Sequence, residues 1–395
     1  MTDGSTQVVY LDYAATTPVD PRVRERMMAC LDSGTGFGNP ASTTHVYGER
    51  AKAAIEQAAM EVARLINADP GALVWTSGAT ESDNLAILGA AKFRSMKGRH
   101  IITAVTEHKA VLESCAQLER EGFTVTYLRS AVDGVIEPGQ IEAALRPDTV
   151  LVSIMHANNE TGVVQDIAAI GALCRQHDVL YHVDAAQSVG KLSIDVQQQQ
   201  IDLLSLNAHK ACGPMGVGAL YLNPERIRRV ESLLYGGGQQ RGIRPGTLPV
   251  HQIVGMGETL RILGEEMAAE VKRVAALRDR LWQGIAALPG VVLNGNRASR
   301  LCSILNVSVA GVEGESLRYA LEDLAVSSGS ACNSANNEPS YVLRSLGLSA
   351  QLAEASIRFS FGRYSTTAEI DQAIGSFTEA VDYLQSLAFK TKLSR

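Results

Sequence analysis

Two apolar runs in this chain end on groups of opposite charge. One is Leu180-Tyr181-His182-Val183-Asp184, followed by Ala185-Ala186-Gln187. The other is Leu204-Ser205-Leu206-Asn207-Ala208-His209-Lys210. A strand ending in Asp and a strand ending in Lys would present a carboxylate and an amine to one ring. Pyridoxal phosphate uses both, an amine to hold its aldehyde and a carboxylate to keep its ring nitrogen protonated as an electron sink. The plain alternatives are a helix cap for Asp184 and a surface lysine for Lys210. Glycines 213, 216 and 218 argue against the second, because they let the chain approach a ligand closely. Gln187, one helical turn after Asp184, fits a contact to a ring oxygen.

Further groups fit the same ligand. Thr76-Ser77-Gly78-Ala79-Thr80 leaves a strand and opens a helix, so backbone N–H groups and the helix N-terminus form a phosphate cradle at Ala79 and Thr80. His108 starts a helix and could stack on a ring and move protons; its bland reading is a polar cap. Asn159 lies in a turn after a buried strand, at the end of an α/β sheet where ligands bind. Arg358, on the alternating stretch Ser356-Ile357-Arg358-Phe359-Ser360, matches a carboxylate bidentately or forms a structural ion pair. Gly236 to Thr247 is a glycine-rich basic segment, either a surface loop or the source of a phosphate contact from Thr247 across a dimer interface. Cys332 sits in Ser327-Ser328-Gly329-Ser330-Ala331-Cys332-Asn333-Ser334. Its small polar neighbours predict an exposed, mobile thiol, and a thiol with pKa near ~8.5 is already a strong nucleophile at neutral pH.

The elements that must position these groups alternate strand and helix. Strands are expected at 8–11, 72–75, 100–104, 124–128, 150–155, 179–183 and 202–206. Helices are expected at 21–31, 44–66 with Thr43 as cap, 81–93, 109–121, 139–145 and 166–177. Apolar strands such as 150–155 suit a parallel sheet covered on both faces. Past Gly255 the texture changes, with a long charged helix at 259–288. Strands at 291–293, 303–309 and 356–360 and helices at 315–321, 340–346 and 368–389 complete a smaller α+β domain.

The 395 residues allow two domains. A formal net charge of −6 argues against a general nucleic-acid grip. No apolar stretch is long enough for a membrane span, and no leader pattern is seen. Six scattered cysteines without a CxxC pair fit a reducing cytoplasm and give neither a disulfide framework nor a zinc site, so no metal is expected.

Taken together, the motifs Leu-Asp-Tyr-Ala-Ala-Thr-Thr-Pro at 11–18, Gly-Asn-Pro-Ala-Ser at 38–42, Ser-Gly-Ala-Thr-Glu-Ser-Asp-Asn at 77–84, Thr-Glu-His-Lys-Ala-Val at 106–111, His-Val-Asp-Ala-Ala-Gln-Ser at 182–188, Ser-Ser-Gly-Ser-Ala-Cys at 327–332 and Glu-Pro-Ser-Tyr-Val-Leu-Arg at 338–344 are highly specific. On them the chain resembles the NifS/IscS-type cysteine desulfurases, pyridoxal-phosphate enzymes of the class V aminotransferase fold, closest to the housekeeping bacterial members. The resemblance implies a type I transferase fold with a mostly parallel seven-stranded sheet. It implies a large domain over 16–260 and a small one made of 1–15 and 261–395. By residue, it implies that Lys210 carries the cofactor aldehyde, Asp184 pairs with the ring nitrogen and His108 stacks on the ring. Gln187 and Asn159 would lie around ring oxygen and substrate. Ala79, Thr80, Asn207 and His209 would hold the phosphate with Thr247 from a partner subunit, Arg358 would take the substrate carboxylate, and Cys332 would accept sulfur.

The implied activity is removal of sulfur from L-cysteine by a cytoplasmic homodimer, with sulfur passed to an iron–sulfur scaffold or a tRNA-thiolation carrier. A selenocysteine lyase, a true class V aminotransferase and a non-catalytic scaffold are the rival readings. Departures from the family pattern are Asn207 for a serine, Cys212 and Met215 for an aromatic and a lysine, and Gln240 and Pro245 in the glycine-rich segment, which would stiffen it. The chain ends at Arg395, short of a C-terminal segment that housekeeping members carry, which leaves the acceptor open.

Overall fold

The structure is a computed structural model that describes residues 8–33, 36–328 and 338–393. Strands are numbered in chain order: β1 (Val9–Tyr10), β2 (Leu73–Thr76), β3 (His100–Ala104), β4 (Thr124–Leu128), β5 (Thr149–Ser153), β6 (Leu180–Asp184), β7 (Leu203–Asn207), β8 (Gly218–Leu222), β9 (Val291–Leu293), β10 (Ile304–Val309), β11 (Leu324–Ala325) and β12 (Ser356–Ser360). Seven of them form one sheet in the order β2-β8-β7-β6-β5-β3-β4. β8 pairs antiparallel with β2 and β7, and the other pairs are parallel. Every residue of β3, β5, β6, β7 and β8 is buried. That explains their near-continuous apolar composition, since helices cover both faces of the sheet. The edge strand β4 begins with an exposed residue and is only partly buried.

A smaller unit carries the antiparallel sheet β12-β10-β9 and the two-stranded pair β1-β11. Val9 and Leu11 share a core with Leu305, Val307, Ile357, Phe359 and Phe377. The helix Val250–Ile285 joins the two units. At 36 residues it spans about 54 Å. Ile253, Val254, Met256, Leu260 and Leu263 pack into the core of the large unit. Val274, Leu277, Leu281 and Ile285 pack into the core of the small one.

Among the differences from the sequence reading, three bear on how the elements are built. The long helix starts at Val250 instead of 259. Gly255 and Gly257 are points of close helix contact: a Cβ on Gly257 would lie 2.6 Å from Ala58 Cα, and one on Gly255 would lie 2.8 Å from Met27 Sδ. Helix Val46–Ile66 is capped by His45, whose Nδ1 accepts from Gly48 N at 3.2 Å, and not by Thr43. The helix expected over 81–93 contains a π-helical turn at Leu85–Gly89, between Ala79–Asn84 and Ala90–Phe93. β8, β11 and the helix Ala350–Glu354 are not read from the sequence.

Candidate functional site

At the C-terminal ends of β6 and β7 a cavity of about 460 Å³ opens, lined by residues that include Thr16, Gly78, Asp83, Met155, Met215 and Gly216. It brings together Ala79, Thr80, His108, Asn159, Asp184, Gln187, Asn207, His209 and Lys210. The parallel register pairs Asp184 with Ser205, so the carboxylate leaves the sheet beside the strand that runs on to Lys210. One Asp184 oxygen, Oδ1, accepts from Ala186 N at 2.8 Å, which closes a turn and does not cap a helix, since no helix lies between β6 and β7 among the described residues.

Lys210 is held by its backbone. Its carbonyl accepts from Lys191 Nζ at 3.1 Å, and the same amine donates to the Gln187 carbonyl at 3.1 Å. Burial lowers Lys191 to about 8, and the Lys210 charge pushes the same way. Gln187 is fixed from the N-terminal segment, its Nε2 donating to the Ala14 carbonyl at 2.9 Å. His209 Nδ1 meets Thr16 Oγ1 at 3.2 Å. Its carbonyl accepts from Thr17 N at 2.9 Å and Thr17 Oγ1 at 2.7 Å. Thr17 Oγ1 in turn accepts from Cys212 N at 2.8 Å. Cys212 adopts φ +63° and its buried thiol is pushed up.

His108 caps the helix Lys109–Arg120, its Nδ1 accepting from Ala110 N at 3.1 Å. Burial lowers its pKa, so the ring is neutral with its proton on Nε2. The turn after β5 is built by Asn158. Its Oδ1 accepts from Glu160 N at 3.0 Å, Thr161 N at 2.9 Å and Thr161 Oγ1 at 3.1 Å, and its Nδ2 donates to the Thr106 carbonyl at 2.9 Å. Asn159 is thereby delivered to the cavity wall.

The polar layer beneath the cavity was not read from the sequence. Asp83 is buried, and burial, reinforced by the charge of Asp184, pushes its carboxyl well above the usual carboxylate range. His182 Nε2 lies 3.5 Å from Asp83 Oδ1 and 3.0 Å from Ser205 Oγ, while Nδ1 lies 2.8 Å from Ser153 Oγ. Burial pushes His182 down to about 4, so this contact joins neutral groups and is not an ion pair. The sequence signal is an acid, Asp83, placed just before the fully buried run Leu85-Ala86-Ile87.

Two expected residues stand apart from the cavity. Arg358 is buried, its Nη2 on Asp12 Oδ1 at 2.7 Å and its Nη1 on the Asn159 carbonyl at 2.8 Å. Thr247 is exposed and is not among the lining residues. Cys332 lies outside the described residues. The glycine-rich segment is pinned by one of its departures: Gln240 Oε1 accepts from Trp75 N at 2.6 Å, and Gln240 Nε2 donates to the Trp75 carbonyl at 2.9 Å. The side chain thus completes the free edge of β2. Arg244 pairs with Glu81 at 2.8 Å.

The residues present fit pyridoxal phosphate. Asn159 Oδ1, Gln187 Oε1 and Asn207 Oδ1 are buried side-chain atoms without a hydrogen-bond partner among the described residues. All three side chains belong to the wall of this one cavity. Orphaned amides carry a penalty unless a ligand satisfies them. Gly78, with φ +154°, has open space where a Cβ would stand, so the backbone at the head of the helix is uncovered.

The class-V aminotransferase profile matches residues 9–373. The chain belongs to the class-V aminotransferase family. Pyridoxal 5'-phosphate is the cofactor of this family and of this chain. Among the relatives of this class-V protein, "Cysteine desulfurase IscS" of Proteus mirabilis (strain HI4320) is 60% identical over 380 residues, covering 96% of this chain and 94% of the relative. The protein of the same name from Shewanella woodyi (strain ATCC 51908 / MS32) is 58% identical over the same shares. Among solved structures, a "NifS-like protein" superposes with TM-score 0.88 at 34% identity, over 96% of this chain and 100% of that one. "SspA in complex with cysteine" gives 0.81 at 39% identity, over 90% and 99%. No helix among the described residues is long and apolar enough to cross a membrane, and no metal-binding cluster occurs among them.

Proposed function

We infer that this chain is a cysteine desulfurase, releasing L-alanine from L-cysteine and taking the sulfur as a persulfide on Cys332. The observation that carries this is the convergence of Lys210, Asp184, His108 and three unsatisfied amides on one cavity. Bound there, pyridoxal 5'-phosphate supplies an aldehyde for an amine to hold and an electron sink for the pair left at the substrate Cα.

The protein's own residues do the rest. Asp184 holds a proton at the ring nitrogen. Ala79, Thr80, Asn207 and His209 would surround the phosphate, and the Gln187 and Asn159 amides would lie around the ring oxygen and substrate. Lys210 Nζ, anchored through its carbonyl, takes the Cα proton and returns it. His108, neutral and protonated on Nε2, donates from the ring face. Arg358 pairs with the substrate carboxylate. Cys332 Sγ, as thiolate, attacks the substrate sulfur: an S–S bond forms, the C–S bond breaks, and its electron pair is protonated at Cβ.

The five described thiols support Cys332 by contrast. Burial pushes Cys30, Cys115, Cys174, Cys212 and Cys302 all upward, Cys115 and Cys174 to about 12, away from the thiolate that nucleophilic attack needs. A homodimer is supported by Thr247, which faces solvent outside its own chain's cavity and would reach the phosphate of a second copy. We place the enzyme in the cytoplasm, with an iron–sulfur scaffold or a tRNA-thiolation carrier as acceptor.

The test is alanine and sulfide production from L-cysteine by the purified holoenzyme. Cys332→Ser should keep the visible cofactor band and lose sulfur transfer; a variant that loses the band, or still transfers sulfur, refutes the assignment. A true aminotransferase would be indifferent to this change.

A further inference from the structure

Arg358 is the group expected to meet the substrate carboxylate, yet it is already engaged by a carboxylate of its own chain. Its side chain is 2% exposed and that of Asp12 is 20% exposed, with 2.7 Å between Nη2 and Oδ1. Nη1 is held separately by the Asn159 carbonyl at 2.8 Å. Nε is buried and has no hydrogen-bond partner among the described residues.

These facts describe one edge of a guanidinium in a half-used state. Nε and Nη2 point the same way and are the pair that a carboxylate takes with both oxygens. Asp12 takes Nη2 alone and leaves Nε orphaned, an unfavourable state for a buried donor. An α-carboxylate free to orient would satisfy both. Asp12 is tethered on both sides: Leu11 N donates to the Ala325 carbonyl at 2.9 Å, and Ala14 N to Ser360 Oγ at 2.9 Å. It is also the more exposed member of the pair, so it can move to water while Arg358 stays. The segment bearing Asp12 runs on to Ala15 and Thr16, which line the cavity.

We propose that Asp12 is a placeholder carboxylate, which covers Arg358 in the resting enzyme and is displaced by the α-carboxylate of the incoming amino acid. The exchange keeps one anion on Arg358 throughout, so no bare guanidinium is ever buried. It also makes entry selective, since an amine without a carboxylate cannot take Asp12's place. The proposal rests on the reading of Arg358 as the carboxylate site.

The experiment measures L-alanine binding to cofactor-loaded Asp12→Asn by the change in cofactor absorbance, with KM for L-cysteine alongside and binding of cysteamine, which has no carboxylate, as control. If the covered state holds most of the resting population, removing the competing charge tightens L-alanine binding and lowers KM by roughly 3- to 10-fold, with cysteamine unchanged. Unchanged or weaker L-alanine binding in Asp12→Asn, or an equal gain for cysteamine, overturns the proposal. Asp12→Ser, checked for an intact cofactor band and melting curve, repeats the measurement should the asparagine variant fail to fold. Arg358→Lys separates the two claims. Loss of L-alanine affinity there upholds the carboxylate site whatever Asp12 does, and unchanged affinity removes that reading and the placeholder with it.

Discussion

Glu160→Gln should stabilise this protein at neutral pH, and only there. Glu160 is 1% exposed and sits in the turn that delivers Asn159. Its Oε2 accepts from Ser340 Oγ, and its Oε1 is buried with no hydrogen-bond partner among the described residues. Burial raises its pKa to about 6; the Ser340 hydrogen bond and the charges of Arg358 and Lys109 pull the other way and do not offset it. The ordinary value is 4.5. A raised folded-state value means that the folded chain holds the proton more tightly than the unfolded one. The stabilisation is therefore full below about 4.5 and is lost as pH rises through about 6. A gap near 1.5 units corresponds to about 2 kcal/mol. Glutamine stands in for the neutral acid, so the variant should match wild type at pH 4.5. At pH 7–8 it should be more stable by about 2 kcal/mol, a few degrees in Tm. The assay is thermal melting of both proteins between pH 4.5 and 8, taken as the difference. His156, His182 and His209, each held near 4 chiefly by burial, lose stability for both proteins as pH falls below the usual histidine range, and they cancel in that difference. A difference that does not change with pH, or a variant less stable at pH 8, would mean that Glu160 is ionised in the fold with Arg358 as its counter-charge, and the reasoning fails.

Two further substitutions test how the cavity floor is built. Gly218→Ala should cost more than about 2 kcal/mol in denaturant unfolding and loosen cofactor retention, because the added Cβ meets backbone on both sides, Leu206 O at 2.5 Å and Gly78 C at 2.7 Å. Wild-type stability in that variant would show that β8 and the Gly78 turn are not in close register. Gln240→Ala should cost about 1–3 kcal/mol, since Trp75 N is half-hidden and loses its acceptor. It should also speed protease cleavage between 236 and 246, and an unchanged cleavage rate would deny that Gln240 pins this segment.

Much of the site was legible because strand ends carry their chemistry in order. Asp184 and Lys210 each follow a run that reads as buried, and parallel pairing brings such ends together without any detail of side-chain packing. β8 is not read from the sequence: glycines 213, 216 and 218 point to close approach to a ligand, and Gly-Ala-Leu-Tyr-Leu receives no element. Gly218 is in fact small because Gly78 and the Leu206 carbonyl crowd it from two elements distant in sequence. Thr43 looks the better cap on residue type, yet His45 wins because its ring nitrogen reaches Gly48 N. Arg358 declared its chemistry but not its resting partner, since β12 and the Asp12 segment lie at opposite ends of the chain and meet only in the folded small unit.

The polar layer under the cavity follows from the same topology. Buried polar groups usually pair to offset their desolvation. Here they are kept neutral instead: Asp83 and Glu107 are pushed up by burial, and His156 and His182 are pushed down by it. A protonated Asp83 sets no negative charge against Asp184, although the two carboxyls share one cavity. Neutral His182 bridges Ser153 on β5 and Ser205 on β7, so it ties together the three central strands whose ends present Asn159, Asp184 and Lys210. Desolvation, which would penalise a charge anywhere else in this core, thus reduces like-charged competition beside the Asp184 carboxylate and fixes the strands that carry it.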